Sequence, residues 1–589
     1  MSSSALPAFH STTIKDALVR LFPFGTRTIE GQIHEFPLIP SDLFAGAAFL
    51  IEHGDLYRRI APEGPQSKAT GVRFSLTPEE RRGCETIGEE WIKTFREENS
   101  ELLNAQAIQA YWDVLIKHQG EPLRPGEKLS EASVEICHAA MALLVISDRA
   151  CHEIGFRSRE PDWFSLFTRG ETLNHQSTIE DEINNDRWHV RNRAFNDTIC
   201  IVADQQVARV LPKSRTPAVG CTMRTLTENL ALLPPSGGVN MHWFHPVGDP
   251  KHDGNALNVL AIPYPYRIAA SDFKPGNRNI TEPDGSWNWF TLTQSWLPDN
   301  KKAVAQFVLE LIREAEKDCG TVHGVVFPEY ALNWETYTEL VQHIRTDAPG
   351  VEFIVAGSSG DEEGAKGNFV LTTTFEEAKQ ERKALTYSRA KHHRWRLDKA
   401  QIREYGLASA LDPHIFWWED IAIEPRKVGL TAFRKRSIFS TLICEDLARS
   451  EPCHSAVRSV GPNLVFVLLM DGPQIASRWS ARYATSLADD PGCAVLTLTC
   501  KGLIQRVNTM GRRPQNNAVA LWKDDVNSVS SLDLPNGAAA LLLTLSAEST
   551  QEATLDGRTT AAAAAWRYHS HVPIFPNEKA KQALSRSAP

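Results

Sequence analysis

The C-terminal half of the sequence predicts an α/β domain, and most of the preceding half predicts a helical region. After position 256, short apolar runs alternate with amphipathic runs at helical spacing. The predicted strands include Leu257–Pro263, His323–Phe327 and Phe353–Gly357, and the predicted helices include Ala303–Lys317 and Tyr337–Ile344. This alternation is typical of sheets that helices cover on their outer faces.

Helix signals dominate the part of the chain before this domain. Thr77 and Pro78, followed by two glutamates, are typical of a helix start, because the threonine caps the helix and proline fits its first position. Ser130 begins a second run with apolar residues at helical spacing. The segment Thr222–Leu233 also predicts a helix.

The run Pro234–Gly238 and the loop-like segment after it predict the main domain boundary. We therefore divide the chain into four parts. They are an N-terminal segment of unclear structure (1–75), a mainly α-helical domain of unknown role (76–253), the α/β domain (254–572) and a C-terminal tail (573–589).

Composition narrows the class of protein. The chain has 589 residues, 42% hydrophobic and 23% charged, which suits a globular protein with a sizeable core. Its formal net charge of −9 disfavours a nucleic-acid-binding protein, so we expect no nucleic-acid partner. No apolar run is long enough to cross a bilayer, and the first residues lack the apolar segment of a secretion signal. We expect a cytoplasmic protein that does not associate with a membrane.

Three strand ends of the α/β domain finish on reactive residues. Glu329 follows an apolar strand and a proline, Lys391 lies in a cationic and aromatic run, and Cys444 ends an apolar strand just before two acids. Ligands usually bind at such strand ends in α/β sheets. Taken singly, each residue also has an ordinary structural explanation: a solvated loop glutamate, a basic surface and a buried structural thiol.

A metal site is not expected in this domain. His392 and His393 are adjacent, and adjacent side chains rarely converge on one ion. None of the ten cysteines forms a CxxC pair.

Together, the three residues carry a resemblance to the nitrilase superfamily of carbon–nitrogen hydrolases. The segments Phe327–Leu332, Tyr387–His393 and Cys444–Leu447 are similar, in this order, to the family's glutamate, lysine and cysteine motifs. The Ile-Cys-Glu-Asp form at Cys444 is similar to the glutaminase domains of NAD synthetases. The resemblance covers about 255–570. It implies a four-layer αββα sandwich and homo-oligomers built on it.

The resemblance also implies a reaction: cysteine-dependent hydrolysis of a small-molecule amide or nitrile without a metal or organic cofactor. Cys444 would be the nucleophile, Glu329 the general base, and Lys391 with the backbone N–H of Glu445 the oxyanion site. Family members often have an assisting glutamate between the lysine and the cysteine. Glu404 is our candidate for it, and a solvent-facing helix residue is the alternative.

The sequence departs from the family between the lysine and the cysteine. The usual Pro- and Gly-rich run after the lysine is replaced by Arg394–Arg403, which predicts a basic helix, and the insert through Trp417-Trp418-Glu419 is long. Substrate class therefore does not carry over. Two further functions stay open: transfer of the acyl group or amide nitrogen to an amine acceptor, and a non-enzymatic sensor or assembly module, defence-type proteins included. In the last case the N-terminal region would bind a protein partner.

Overall fold

A computed structural model describes most of the chain. The described residues are 12–27, 31–61, 74–96, 104–156, 193–235, 238–247, 256–276, 285–377, 382–434 and 436–584. Among them, no helix is long and apolar enough to span a membrane. The statements below concern these residues.

Five helices form the first part of the structure. They are α1 (Ile14–Leu21), α2 (Pro40–His53), α3 (Pro78–Arg96), α4 (Ala105–Lys117) and α5 (Glu131–Ala150). Thr13 caps α1 and Ser130 caps α5 through side-chain oxygens, which satisfies free N–H groups of the first turn. Most residues of α2 and α5 are buried, so these two helices form the centre of the helical region.

Eight further helices follow. They are α6 (Lys302–Cys319), α7 (Trp334–Asp347), α8 (Lys399–Glu404), α9 (Glu445–Ala448), α10 (His454–Val460), α11 (Trp479–Asp489), α12 (Lys501–Met510) and α13 (Glu578–Leu584).

The described strands are numbered β1 to β21. The first ten are β1 (Arg193–Asn196), β2 (Arg209–Pro212), β3 (Leu230–Leu233), β4 (Asn240–Val247), β5 (Ala256–Ala261), β6 (Phe273–Pro275), β7 (Trp287–Leu292), β8 (Gly324–Val326), β9 (Phe353–Gly360) and β10 (Lys366–Glu377). The others are β11 (Arg382–Ala390), β12 (Arg396–Leu397), β13 (Phe416–Glu419), β14 (Lys427–Phe433), β15 (Ser437–Ile443), β16 (Leu464–Leu469), β17 (Ala494–Thr499), β18 (Ala518–Lys523), β19 (Ser530–Asp533), β20 (Ala540–Ala553) and β21 (Thr559–Ile574).

Two large sheets form the core of the α/β part. One has the order β1-β4-β14-β15-β16-β17-β18-β19 and the other the order β11-β10-β9-β8-β5-β20-β21. Side chains alternate between the faces of a strand, so each sheet has two faces to cover. Val326 and Val355 belong to the core that the two sheets share, whereas their neighbours Val325 and Ile354 pack with α6 and α7.

Aromatic contacts join the facing sheets. The ring of Phe353, on β9, lies 5.0 Å from that of Phe439 and 5.6 Å from that of Phe466, on β15 and β16. α6 and α7 cover the outer face of the second sheet, and α11 packs on β17 and β18 of the first. The prediction of an α/β fold is confirmed, and these contacts follow the order helix, sheet, sheet, helix.

The first large sheet extends across the predicted boundary at 253. β4 lies before that boundary and pairs in parallel with β14 from beyond it, with Leu430 opposite Trp243. The predicted helix over Thr222–Leu233 is wrong: Met223–Leu226 forms a short 3-10 helix and β3 pairs with β2. The four-part division of the chain stays a prediction.

A buried ion pair links the helical region to the other end of the chain. Asp148, on α5, accepts a hydrogen bond from Arg558 Nη1 at 3.0 Å, in the turn between β20 and β21. Its carboxylate also accepts from the backbone N–H groups of Glu228, Asn229 and Leu230 at 2.9 to 3.0 Å. Both side chains of the pair are almost fully buried. The pair therefore ties three distant segments together.

Asp148→Ala should lower the free energy of unfolding by about 3–5 kcal/mol, because it leaves the buried Arg558 guanidinium without this carboxylate. Urea denaturation followed by tryptophan fluorescence measures the change. Asp318→Ala is the matched control, since Asp318 is an exposed aspartate on α6 and should change stability by less than ~0.5 kcal/mol. Equal stability of the two variants would contradict the structural importance of this pair.

Candidate active site

A buried lysine lies between two glutamates where strands of the α/β part end. Lys391 Nζ donates to Glu329 Oε1 at 2.8 Å and to Glu419 Oε2 at 2.9 Å. Glu329 follows β8 after Phe327 and Pro328, Lys391 directly follows β11, and Glu419 is the last residue of β13. The three side chains are essentially inaccessible to solvent. Lys391 and Glu329, two residues that the sequence predicts for the site, are thus in direct contact.

An asparagine connects the two glutamates. Asn368 Nδ2 donates to Glu329 Oε1 at 2.7 Å and to Glu419 Oε1 at 2.8 Å, and the N–H of Lys391 donates to the Asn368 carbonyl. We call Lys391, Glu329, Glu419 and Asn368 the lysine–glutamate cluster. It satisfies most polar atoms of its members, as buried polar groups require.

The two glutamates differ in what remains available to a substrate. Both carboxylate oxygens of Glu419 are occupied, since the hydroxyl of Tyr330 and the N–H of Trp395 also donate to it at 2.9 Å. Glu329 Oε2 is buried and has no hydrogen-bond partner among the described residues. Glu329 therefore keeps one oxygen able to accept a proton, while Glu419 is fully engaged in holding the cluster.

Cys444 follows the buried strand β15, at the start of the short helix α9. Its backbone has φ 43° and ψ −107°, a conformation that residues with a Cβ rarely adopt. Such strain persists only where neighbouring structure holds it, and it often occurs at functional sites. Here the N–H of Cys444 donates to the Leu468 carbonyl at 2.9 Å, and the N–H of Leu447 donates to the Cys444 carbonyl.

Electrostatic interactions connect Cys444 to the lysine–glutamate cluster. Burial and the Glu329 carboxylate raise the pKa of the Cys444 thiol well above its ordinary value, against the lowering effect of Lys391. Burial lowers the pKa of Lys391, but the charges of Glu329, Glu419 and Cys444 outweigh burial and raise it. The resting site therefore holds a protonated lysine and a neutral thiol, and the thiol needs a base to become a nucleophile.

A second ion pair holds the segments that carry Cys444 and Lys391. Arg389 Nη1 donates to Asp446 Oδ2 at 3.0 Å, with both side chains fully buried. Asp446 Oδ1 accepts from the N–H of His392 at 3.0 Å, and Arg389 Nη2 donates to the Thr441 carbonyl at 2.7 Å. Arg389 and His392, close to Lys391 in sequence, are therefore hydrogen-bonded to residues close to Cys444.

Among the described residues, Glu404, the candidate for an assisting glutamate, pairs with Arg478 and Arg513. It is the last residue of α8, and its Oε1 accepts from Arg478 Nη1 at 3.0 Å and lies 3.2 Å from Arg513 Nε. Glu419 is the second glutamate at the lysine. The sequence holds a signal for Glu419. Side chains alternate between the two faces of a strand, so Glu419, at the end of the run Phe416–Glu419, lies on the same buried face as Trp417.

Glu445, the predicted oxyanion residue, begins α9, and its carboxylate pairs with Arg449 at 2.7 Å. N–H groups in the first turn of a helix have no acceptor within that helix. The contribution of the Glu445 N–H to an oxyanion site stays a prediction.

A cleft of about 850 Å³ is lined by sequence neighbours of the site residues, but neither Cys444 nor a member of the lysine–glutamate cluster lines it. Three of its lining residues are the sequence neighbours of site residues: His392 follows Lys391, Trp418 precedes Glu419, and Glu445 follows Cys444. No group of three His, Cys, Asp or Glu side chains among the described residues is arranged to hold a metal ion. His392 and His393 instead have Nε2 2.9 and 2.8 Å from the carbonyl oxygens of Lys427 and Glu451.

No family model and no curated protein matches the chain. Among solved structures, it is similar to nitrilase-superfamily proteins over about half of its length. An amidase from Nesterenkonia sp. is 10% identical, with 56% of this chain and 95% of that chain covered and a TM-score of 0.25. Nit3 from Saccharomyces cerevisiae, of branch 10 of the nitrilase superfamily, is 13% identical, with 57% and 95% covered and a TM-score of 0.26. A glutamine-dependent NAD(+) synthetase from Cytophaga hutchinsonii is 9% identical, with 56% and 46% covered and a TM-score of 0.24.

Lys391→Met should destabilise the protein by about 3–5 kcal/mol at neutral pH, because two buried carboxylates lose their counter-ion. Lys391 lowers the pKa of Glu329, which burial raises, so the variant raises this pKa further. An acid whose folded-state pKa is raised favours folding at low pH. The loss should therefore shrink as the pH falls from 8 toward 5.

Urea midpoints across this pH range measure the effect. The double variant Lys391→Met/Glu329→Gln should recover part of the stability and show a weaker pH dependence. A loss of stability in Lys391→Met that is independent of pH would contradict the electrostatic explanation.

Proposed function

We propose that the chain hydrolyses a non-peptide carbon–nitrogen bond, that of a carboxamide, through a thioester with Cys444. One observation carries the proposal: a buried lysine, held by two glutamates, interacts electrostatically with a buried cysteine on a strained backbone. A structural thiol needs neither a cation nor a base beside it. A thiol that attacks an amide carbon needs both.

In the first half of the reaction, Glu329 accepts the thiol proton while Cys444 Sγ attacks the amide carbon. Glu329 suits this role because one oxygen of its carboxylate has no partner among the described residues. The oxyanion that forms is stabilised by the Lys391 ammonium and, as the sequence predicts, by the N–H of Glu445. Protonated Glu329 then gives its proton to the nitrogen, the carbon–nitrogen bond breaks, and ammonia leaves.

In the second half, Glu329 removes a proton from water as the water oxygen attacks the thioester carbon. The carbon–sulfur bond breaks, the thiolate takes the proton from Glu329, and the carboxylic acid leaves. Glu419 keeps Lys391 in place and supplies a second negative charge that holds it protonated through both halves. The cycle consumes one water and uses no group from outside the chain.

Cys444→Ala should abolish formation of an acyl-enzyme, because the variant lacks the nucleophile. Intact-mass measurement after incubation with a panel of amides and nitriles should reveal an adduct on the wild-type protein and on Cys453→Ala but not on Cys444→Ala, and hydroxylamine should release it. Peptide mapping should place the adduct on Cys444. Cys453→Ala is the matched control, since Cys453 is another buried thiol whose pKa burial raises, to about 12.

Turnover of a verified substrate by Cys444→Ala would contradict the proposal. So would modification of Cys444 at the same rate as that of Cys453, because a cysteine beside a base and a cation should react faster than one without them.

Glu419→Gln should slow acylation of Cys444 by ~10²-fold, since it removes one of the charges that fix Lys391. Glu404→Gln should change the rate less than about threefold, because Glu404 pairs with Arg478 and Arg513 rather than with Lys391. Quenched-flow mass spectrometry on both variants gives the rates. The opposite ranking would assign the assisting position to Glu404.

A further inference from the structure

The cleft of about 850 Å³ is rich in arginine. Arg394, Arg396, Arg426 and Arg449 line it, against two acids, Asp398 and Glu445. Glu445 pairs with Arg449, and Asp398 caps α8 by accepting from the N–H of Gln401 at 2.9 Å. Within the described part of the chain, the other three arginines form no ion pair. The cleft thus concentrates positive charge that the protein itself does not neutralise, in a chain of net charge −9.

Two of these arginines are partly buried at the cleft. The Nε atoms of Arg394 and Arg426 are buried and lack a hydrogen-bond partner among the described residues. Arg394 is nevertheless held in place, because its Nη2 donates to the Ile421 carbonyl at 2.9 Å and its guanidinium lies 5.4 Å from the Trp289 ring centre. Positioned guanidinium groups without a carboxylate partner suit phosphate, whose oxygens accept several hydrogen bonds at once.

The third arginine lies on an aromatic surface. β7 and β13 pair in parallel, with Trp287 opposite Phe416 and Trp289 opposite Trp418. These four side chains alternate with Asn288 and Trp417, so they lie on one face of the small sheet β12-β13-β7-β6. Arg396 lies 4.8 Å from the Phe416 ring centre and 5.7 Å from that of Trp418.

The three tryptophans of this face, Trp287, Trp289 and Trp418, line the cleft and are partly accessible to solvent. Large aromatic side chains in this position offer flat surfaces to a ring system. Arginines without a carboxylate partner and ring surfaces thus occur in one cavity, whose volume of about 850 Å³ falls in the range for small-molecule sites.

We infer that this cleft binds the substrate through a phosphate group and a planar aromatic ring, as a nucleoside monophosphate presents them. The inference rests on the proposed function in one respect: it treats the cleft as the substrate-binding part of the Cys444 site. Three arginines without a carboxylate partner match a phosphate, which carries up to two negative charges, better than a single carboxylate. In this arrangement the ring stacks on the tryptophan face and the phosphate lies against Arg394, Arg396 and Arg426.

Isothermal titration of the wild-type full-length chain with adenosine 5′-monophosphate, adenosine and inorganic phosphate tests the inference without requiring turnover. Adenosine 5′-monophosphate should bind at least tenfold more tightly than either of the other two, because they lack one of the recognised groups. Arg394→Gln and Arg426→Gln should each weaken its binding about tenfold or more. Trp289→Leu should weaken the binding of adenosine and that of adenosine 5′-monophosphate to the same extent.

Arg403→Gln is the matched control, since Arg403 is exposed on α8 but does not line the cleft. It should leave the affinity for adenosine 5′-monophosphate unchanged. Equal affinities for adenosine and adenosine 5′-monophosphate, or equal losses in Arg403→Gln and Arg394→Gln, would overturn the inference. Tighter binding of a deoxythymidine decamer than of the monophosphate would also overturn it and assign the cleft to single-stranded nucleic acid.

The binding result and the Cys444 result are independent. If the monophosphate binds and Cys444 is inert, the site for a phosphate and a ring is supported and the proposed hydrolase activity is contradicted. Acylation of Cys444 without such binding would keep the hydrolase and remove the inference.

Discussion

The arrangement of the candidate site depends on the charge of one buried ammonium group. Transferring a lysine from water into a protein interior costs several kcal/mol unless opposite charges and hydrogen bonds compensate. Glu329 and Glu419 provide both, at 2.8 and 2.9 Å. Because the two glutamates follow or end different strands, the ammonium is stable only when β8, β11 and β13 have all formed and met. The ion pairs of Lys391 therefore form only when the fold is complete.

A separate set of contacts holds the segment that carries Cys444 against the segment that carries Lys391. The pair Arg389–Asp446 and the bond from the N–H of His392 to Asp446 join β11 to α9 across the two sheets. The strained backbone at Cys444 persists because these buried contacts hold the residues on either side of it. The strained backbone of Cys444 costs free energy, and the folded structure around it holds that conformation. The backbone conformation of Cys444 and the stability of the sheets are therefore linked.

Local sequence signals were enough to predict the α/β part and to place Glu329 and Lys391 at strand ends, because apolar strands and the residues that end them are contiguous in the chain. The choice of these two residues for the site came from the resemblance of the ordered motifs to a known family. Strand alternation in Phe416–Glu419 places Glu419 on a buried face, but local signals do not show that it meets Lys391. Its partner Lys391 is 28 residues away and the intervening Arg394–Arg403, expected to be one basic helix, is divided between β12 and the six-residue α8. Glu404 directly follows that segment and pairs with Arg478. In the same way, β3 in the predicted helix 222–233 exists because it pairs with β2, a contact that no local periodicity encodes.

The charges of the site and the cleft are opposite in sign, and this bears on how a substrate would enter. The lysine–glutamate cluster has two carboxylates against one ammonium, so it repels an anion, whereas the unpaired arginines of the cleft attract one. An anionic amide would consequently hold its charge at the arginines and direct its neutral end to Cys444. The free acid formed by hydrolysis would carry a second negative charge next to Glu329. That repulsion would favour release of the product. The charges of the cluster and of the cleft would thus orient the amide before the reaction and help to release the acid after it.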